Sequence, residues 1–167
     1  WQHLCQRKKA SFNVNPSNQD GLLETSRLND FISEKTKLIA VIYISNALGI
    51  VNPVQQIIQC ARQHQIPVLI DGAQAVPHRI VDVQALDCDF FAFSGHKMYA
   101  ETGIGVLYGK EKWLEKMPPC QTGGGMIDSV SLEHTVFTDL PLKFEAGTPN
   151  IAGAISLKAA IDYMQET

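Results

Sequence analysis

The 167-residue chain has no cysteine pair at CxxC spacing. Its four cysteines, Cys5, Cys60, Cys88 and Cys120, stand 55, 28 and 32 residues apart. That spacing excludes the signature of a zinc ribbon or a redox dithiol, and reduced thiols are expected instead, with no metal site. Cys88, in Leu86-Asp87-Cys88-Asp89-Phe90, stands just ahead of an apolar run and reads as a buried core thiol. Long apolar runs are also missing: none approaches the ~20 residues of a spanning helix. Trp1 opens onto polar residues without a signal-peptide pattern, so a cytoplasmic protein with no membrane association is expected. Charge of one sign is scarce too. Fourteen Lys and Arg against seventeen Asp and Glu leave a formal net charge of −3, and the densest basic group is Arg7-Lys8-Lys9. Without a basic stripe there is no footprint for nucleic acid.

What is present suits a globular protein with a real core: 45% hydrophobic and 19% charged residues, in proportions ordinary for that class. The apolar residues come in short runs. Lys37–Ile44 is nearly continuous, as in strands buried on both faces of a parallel sheet. Pro67–Ile70, Asp89–Phe93 and Ile104–Tyr108 are further strands, and Ala10–Val14 alternates weakly as a fifth. Between them lie helical patterns. Leu23–Ser33 carries Leu28, Phe31 and Ile32 at helical spacing and is expected to cover a sheet. Val54–Gln63, with Pro53 as its first residue, turns Ile57, Ile58 and Ala61 inward. Val81–Leu86 is a short helix or turn, and Lys110–Met117 is a helix stopped by Pro118-Pro119. Ala152–Met164 is a final helix with Ile155, Ala159 and Tyr163 along one side. Trp1, Leu4 and Cys5 also fall at helical spacing. Such alternation implies an α/β fold with a mainly parallel sheet, flanking helices and right-handed crossovers. Gly123-Gly124-Gly125 reads as a flexible loop, or as backbone donors free to meet an anion or another subunit, and Lys143–Asn150 as a compact polar turn.

In open parallel sheets, functional groups gather at the carboxyl ends of strands. Here one run ends at Asn46, another at Asp71 with Gln74, and a third at Ser94, His96 and Lys97. A lysine where a buried strand opens into a polar turn is either a surface charge or a reactive amine; partial desolvation would favour the second. Asp71 likewise has two readings. It is a carboxylate seeking a cation or an N–H donor, or it is turn and cap chemistry ahead of Gly72. An amine nucleophile, a carboxylate and anion-binding hydroxyl, imidazole and N–H groups form a set that pyridoxal phosphate uses, though other chemistry uses it too.

Five segments in register narrow this. Ser45–Pro53 (S-N-A-L-G-I-V-N-P), Asp71–His78 (D-G-A-Q-A-V-P-H), Ser94–Lys97 (S-G-H-K), Thr102–Lys110 (T-G-I-G-V-L-Y-G-K) and Phe144–Asn150 (F-E-A-G-T-P-N) resemble the class V aminotransferase superfamily. Within it, they resemble cysteine desulfurases of the SufS/CsdA type. The resemblance runs through nearly the whole chain. It implies the large domain of a fold-type I pyridoxal-phosphate enzyme and a homodimer. By motif, Lys97 matches the Schiff-base lysine and Asp71 the partner of the pyridine nitrogen. Gln74 matches the residue bonded to the cofactor's phenolic oxygen, and Asn46 lies in the ring-side position. Ser94 and His96 match phosphate ligands, and Thr148 matches the threonine that reaches the phosphate of the neighbouring subunit. The implied reaction converts L-cysteine to L-alanine and an enzyme persulfide, whose sulfur passes to an acceptor protein for iron–sulfur cluster assembly.

The same resemblance implies that residues 1–167 are one incomplete cofactor-binding domain, lacking its N-terminal part and the small C-terminal domain. The family's persulfide cysteine and its substrate-carboxylate arginine would then lie beyond Thr167, and the chain alone would be inactive. One departure is Ala100-Glu101, where the family commonly has Gly-Pro. Selenocysteine lyase, another class V lyase or transaminase, and a non-catalytic paralogue remain alternatives to the desulfurase.

Overall fold

The computed structural model describes residues 1–166. The chain divides into two compact units, Trp1–Cys88 and Asp89–Thr167. In the first, α1 (Gln2–Lys8) and a 3-10 helix (Thr25–Phe31) precede β1 (Ile39–Ile42), α2 (Val54–Gln63), β2 (Val68–Asp71) and α3 (Val83–Leu86). Strands β1 and β2 pair in parallel, Ile39 opposite Val68 and Ile42 opposite Asp71, with α2 as the crossover. Val54, Ile57, Ile58 and Ala61 are all buried, as are Val68 and Ile70. These residues form the core where α2 packs on β2. Pro53 is the N-cap of α2 rather than its first helical residue. At the other end Gln65 takes φ 58°, and Ile66 N–H bonds back to Ala61 O at 3.0 Å. This turns the chain into β2 while satisfying the helix's last carbonyls.

The second unit runs β3 (Phe90–Ser94), a 3-10 turn (Gly95–Met98), β4 (Gly105–Gly109), α4 (Glu111–Leu114), β5 (Ile127–Val130), β6 (Thr135–Phe137), a 3-10 turn (Leu142–Phe144) and α5 (Ile151–Glu166). β4 returns antiparallel along β3, Phe90 opposite Gly109 and Ser94 opposite Gly105. The connection, residues 95–104, is too short for the dozen or so residues that a parallel crossover takes. Asp89, mostly buried, anchors the start of β3. Its Oδ1 accepts the Trp113 indole N–H at 2.7 Å and lies 3.7 Å from Lys110 Nζ. β5 and β6 form an antiparallel hairpin with an irregular register between Ile127 and Ser129.

The class is the expected α/β. The differences from the sequence reading are local. Ala10–Val14 forms no strand; the nearest pairing is an isolated bridge between Ser17 and Leu23. β1 is only four residues long, and most of it is half-buried rather than enclosed. The Thr25–Phe31 helix packs on α2. There Asn29 Oδ1 lies 3.2 Å from Cys60 Sγ and 3.0 Å from His64 Nε2. Cys88 is fully buried, as expected. Among the described residues no helix is long and apolar enough to cross a membrane.

Candidate functional site

The centre of the second unit is the end of β3. Phe90 and Phe91 are buried, and the strand runs into Ser94, the N-cap of the Gly95–Met98 turn. Ser94 Oγ and His96 Nδ1 are 2.7 Å apart, so hydroxyl and imidazole are held as one pair. The turn is closed on both sides: Gly95 N–H donates to Ile104 O at 2.9 Å, and Ala100 N–H donates to Gly95 O at 3.1 Å. A side chain on Gly95 would put Cβ 2.7 Å from Ile104 Cγ2, so glycine is needed for the close return of the chain. Tyr99 leaves the turn with φ 70°. Lys97 is half-buried inside this loop, and among the described residues its amine has no ion-pair or hydrogen-bond partner. A surface charge would stand in water; this one does not fully do so.

In the first unit, Tyr43 N–H donates to Asp71 O at 2.8 Å, which ties the exit of β1 to the end of β2. Asp71 itself is exposed. Its Oδ1 accepts the Ala73 N–H at 3.0 Å, turn chemistry of the second kind foreseen for this residue. Gln74 is half-buried. Asn46 is exposed in a tight turn made by Ser45, whose N–H donates to Ile50 O at 2.9 Å and whose carbonyl accepts Gly49 N–H at 2.9 Å. Asn52, not singled out from the sequence, fixes that turn. It is buried and spans the strand exit: its amide Nδ2 donates to Ile42 O at 2.8 Å and its backbone N–H to Tyr43 O at 2.8 Å. Its sequence signal was an asparagine directly before a proline. A cleft of about 350 Å³ opens nearby between Tyr43, Asn52, Pro53, Arg79 and Leu86. Asn46, Asp71 and Gln74 do not line it.

Thr148 is exposed on the turn that follows Leu142–Phe144. Gly147 N–H donates to Gly124 O at 2.8 Å, and a Cβ on Gly123 would sit 3.1 Å from Gly147 N. Gly123 and Gly124 therefore pack against the Ala146-Gly147 backbone, so this part of the glycine run is more than a flexible loop. After Thr148, Asn150 caps α5: its Oδ1 accepts Gly153 N–H at 3.0 Å, and its Nδ2 donates to Gly103 O at 3.1 Å. Ala100, at the family departure, is buried. Glu101 N–H, a donor that proline would lack, reaches Ser156 Oγ at 2.9 Å. The departure is thus structurally accommodated.

A family model described as Aminotransferase class-V matches residues 1–167. A cysteine desulfurase of Cronobacter sakazakii is 54% identical over 165 residues, covering 98% of this chain and 41% of that protein. The crystal structure of the cysteine desulfurase CsdA, in its S-sulfonic acid form, from Escherichia coli superposes with a TM-score of 0.96 at 40% identity, over 100% of this chain and 42% of that one. The apo cysteine desulfurase of Thermococcus onnurineus NA1 gives 0.93 at 39% identity, over 99% of this chain and 42% of that one. The chain spans about two fifths of the length of these relatives. With the family model covering every residue, the chain belongs to the class V aminotransferase family.

Proposed function

We propose that this chain is the cofactor-binding core of a pyridoxal-phosphate-dependent cysteine desulfurase, an incomplete large domain whose remaining parts belong to a longer protein. The observation that carries this is Lys97: a half-buried amine with no ion-pair or hydrogen-bond partner among the described residues, next to a bonded hydroxyl–imidazole pair. The relatives' names supply the reaction class.

The donor set fits the cofactor. Lys97 offers the amine, Asp71 an accessible carboxylate, and Ser94 with His96 donors suited to a phosphate. When bound, pyridoxal phosphate supplies an electron sink for the substrate's α-carbon. The chain's residues do the rest. Asp71, whose Oδ1 accepts Ala73 N–H, would hold the proton on the pyridine nitrogen. Gln74 would donate to the phenolic oxygen, and Asn46 would serve the ring side. Ser94 and His96 would hold the phosphate, joined by Thr148 of the neighbouring protomer in a homodimer. Lys97 Nζ moves the proton at the substrate's α-carbon. Overall, L-cysteine gives its sulfur to a cysteine thiol outside this chain, leaving alanine and a persulfide. That sulfur passes to an acceptor protein for iron–sulfur cluster assembly in the cytoplasm.

The test uses the full-length protein carrying this chain, supplied with pyridoxal phosphate. The expected outcome is a visible absorbance band and alanine release from L-cysteine. Lys97→Ala should abolish the band and lower kcat about a thousandfold or more. A band and a rate that survive Lys97→Ala would overturn the proposal. Faster turnover of selenocysteine than of cysteine would move the substrate assignment but keep the site.

A further inference from the structure

The segment after Lys97 is fastened to α5 at three points. The Tyr99 ring meets Tyr163 edge-on, with centroids 5.7 Å apart and planes at 81°. Two residues on, Glu101 N–H donates to Ser156 Oγ at 2.9 Å. Two residues further, Gly103 O accepts Asn150 Nδ2 at 3.1 Å. Tyr99, Glu101 and Gly103 alternate along the chain, and all three reach the same helix or its cap. The other end of the loop closes on itself through Gly95 N–H to Ile104 O and Ala100 N–H to Gly95 O. Lys97 therefore sits in a loop with one side held by its own backbone and the other by α5.

We propose that Ser156 and Asn150 are positioning residues for Lys97, with α5 setting the conformation of the Tyr99–Gly103 segment and through it the placement of the Lys97 amine. The proposal rests on the reading of Lys97 given above. Position 101 is its chemical hinge. An N–H at 101 must be satisfied or exposed to water, and the Ser156 hydroxyl satisfies it here. A proline at 101 would present no donor and leave Ser156 without this task. Residues 101 and 156 are thus coupled, and the coupling acts on the geometry of the amine, where displacements of about 1 Å can cost orders of magnitude in rate.

The experiment uses the full-length protein with and without pyridoxal phosphate, comparing Ser156→Ala, Ser156→Thr and Glu101→Pro with wild type. Without cofactor, Ser156→Ala should speed hydrogen exchange of the Glu101 amide about fivefold, the equivalent of one net hydrogen bond, and Ser156→Thr should restore it. With cofactor, Ser156→Ala should shift the visible band and lower kcat several-fold while KM for L-cysteine stays within about twofold; the threonine variant should again restore both. In the Glu101→Pro background, Ser156→Ala should have no further effect on kcat. Faster amide exchange with band and kcat unchanged would overturn the positioning role, leaving a structural bond only. Equal losses from Ser156→Ala in both backgrounds would overturn the coupling. A wild-type protein with no lysine-dependent band would instead sink the reading of Lys97, and is recognised before any Ser156 substitution is made.

Discussion

Replacing Gly153 by alanine sets two opposite effects against each other. In a helix, Gly→Ala ordinarily stabilises by up to about 1 kcal/mol. Here an alanine Cβ would collide with Asn150 Nδ2 and lie 2.8 Å from its Cγ and 3.1 Å from its Oδ1. The Asn150 amide must move. It cannot do so freely, because one end caps α5 at Gly153 N–H and the other holds Gly103 O. Loss of an asparagine cap costs about 1 kcal/mol, and loss of a second hydrogen bond about another 1 kcal/mol. The collision outweighs the propensity gain, so Gly153→Ala should destabilise by about 1 kcal/mol net. Asn150→Ala removes both bonds without the collision and should cost about 2 kcal/mol by the same magnitudes. In that background the obstacle is gone, and Gly153→Ala should turn neutral or stabilising. Urea unfolding of wild type, both single variants and the double variant of the full-length protein measures this. Stabilisation by Gly153→Ala in the wild-type background, or the same effect in both, would refute the reasoning.

Three further outcomes follow from packing. Trp113→Phe removes the indole N–H from the mostly buried Asp89 carboxylate and should destabilise by about 2 kcal/mol; the loss should shrink in an Asp89→Asn background, as read by urea midpoint. Ile70→Ala, at a fully buried position in β2, should cost about 2–5 kcal/mol, whereas Ile70→Val should cost about 1 kcal/mol, in the same assay. Asp82→Ala removes the cap that accepts both Gln84 and Ala85 N–H and should cost about 1 kcal/mol, read as faster amide exchange across Val83–Leu86.

The candidate site was legible where chemistry and motif coincide in a short stretch. Ser94, His96 and Lys97 fall within four consecutive residues, so the placing of Lys97 beside the Ser94–His96 pair at the end of β3 follows from local sequence once that strand is recognised. Asn46 and Asp71 were legible as the polar ends of apolar runs. The helper residues were not. Asn52, Asn150 and Ser156 act through partners 10, 47 and 55 residues away in sequence, and a capping or turn asparagine looks the same in a sequence whether or not its second amide atom reaches a distant carbonyl. The β5–β6 hairpin was missed because its strands are short and largely exposed, so neither carries an apolar run. Ala10–Val14 failed in the opposite way: its alternation had no partner strand to pair with.

By itself the sequence determined which segments are apolar and at what period, and hence the α/β class, the α2 crossover with its buried stripe, and the polar residues at each strand end. Those properties depend on side-chain solubility and local backbone preference, which are written residue by residue. Tertiary structure alone decided the antiparallel return of β4, the docking of the Thr148 turn on the glycine loop, and the fastening of the segment after Lys97 to α5. Each of these needs one backbone group to meet another far along the chain. Such a meeting is fixed by how the whole chain closes, not by what either residue prefers alone.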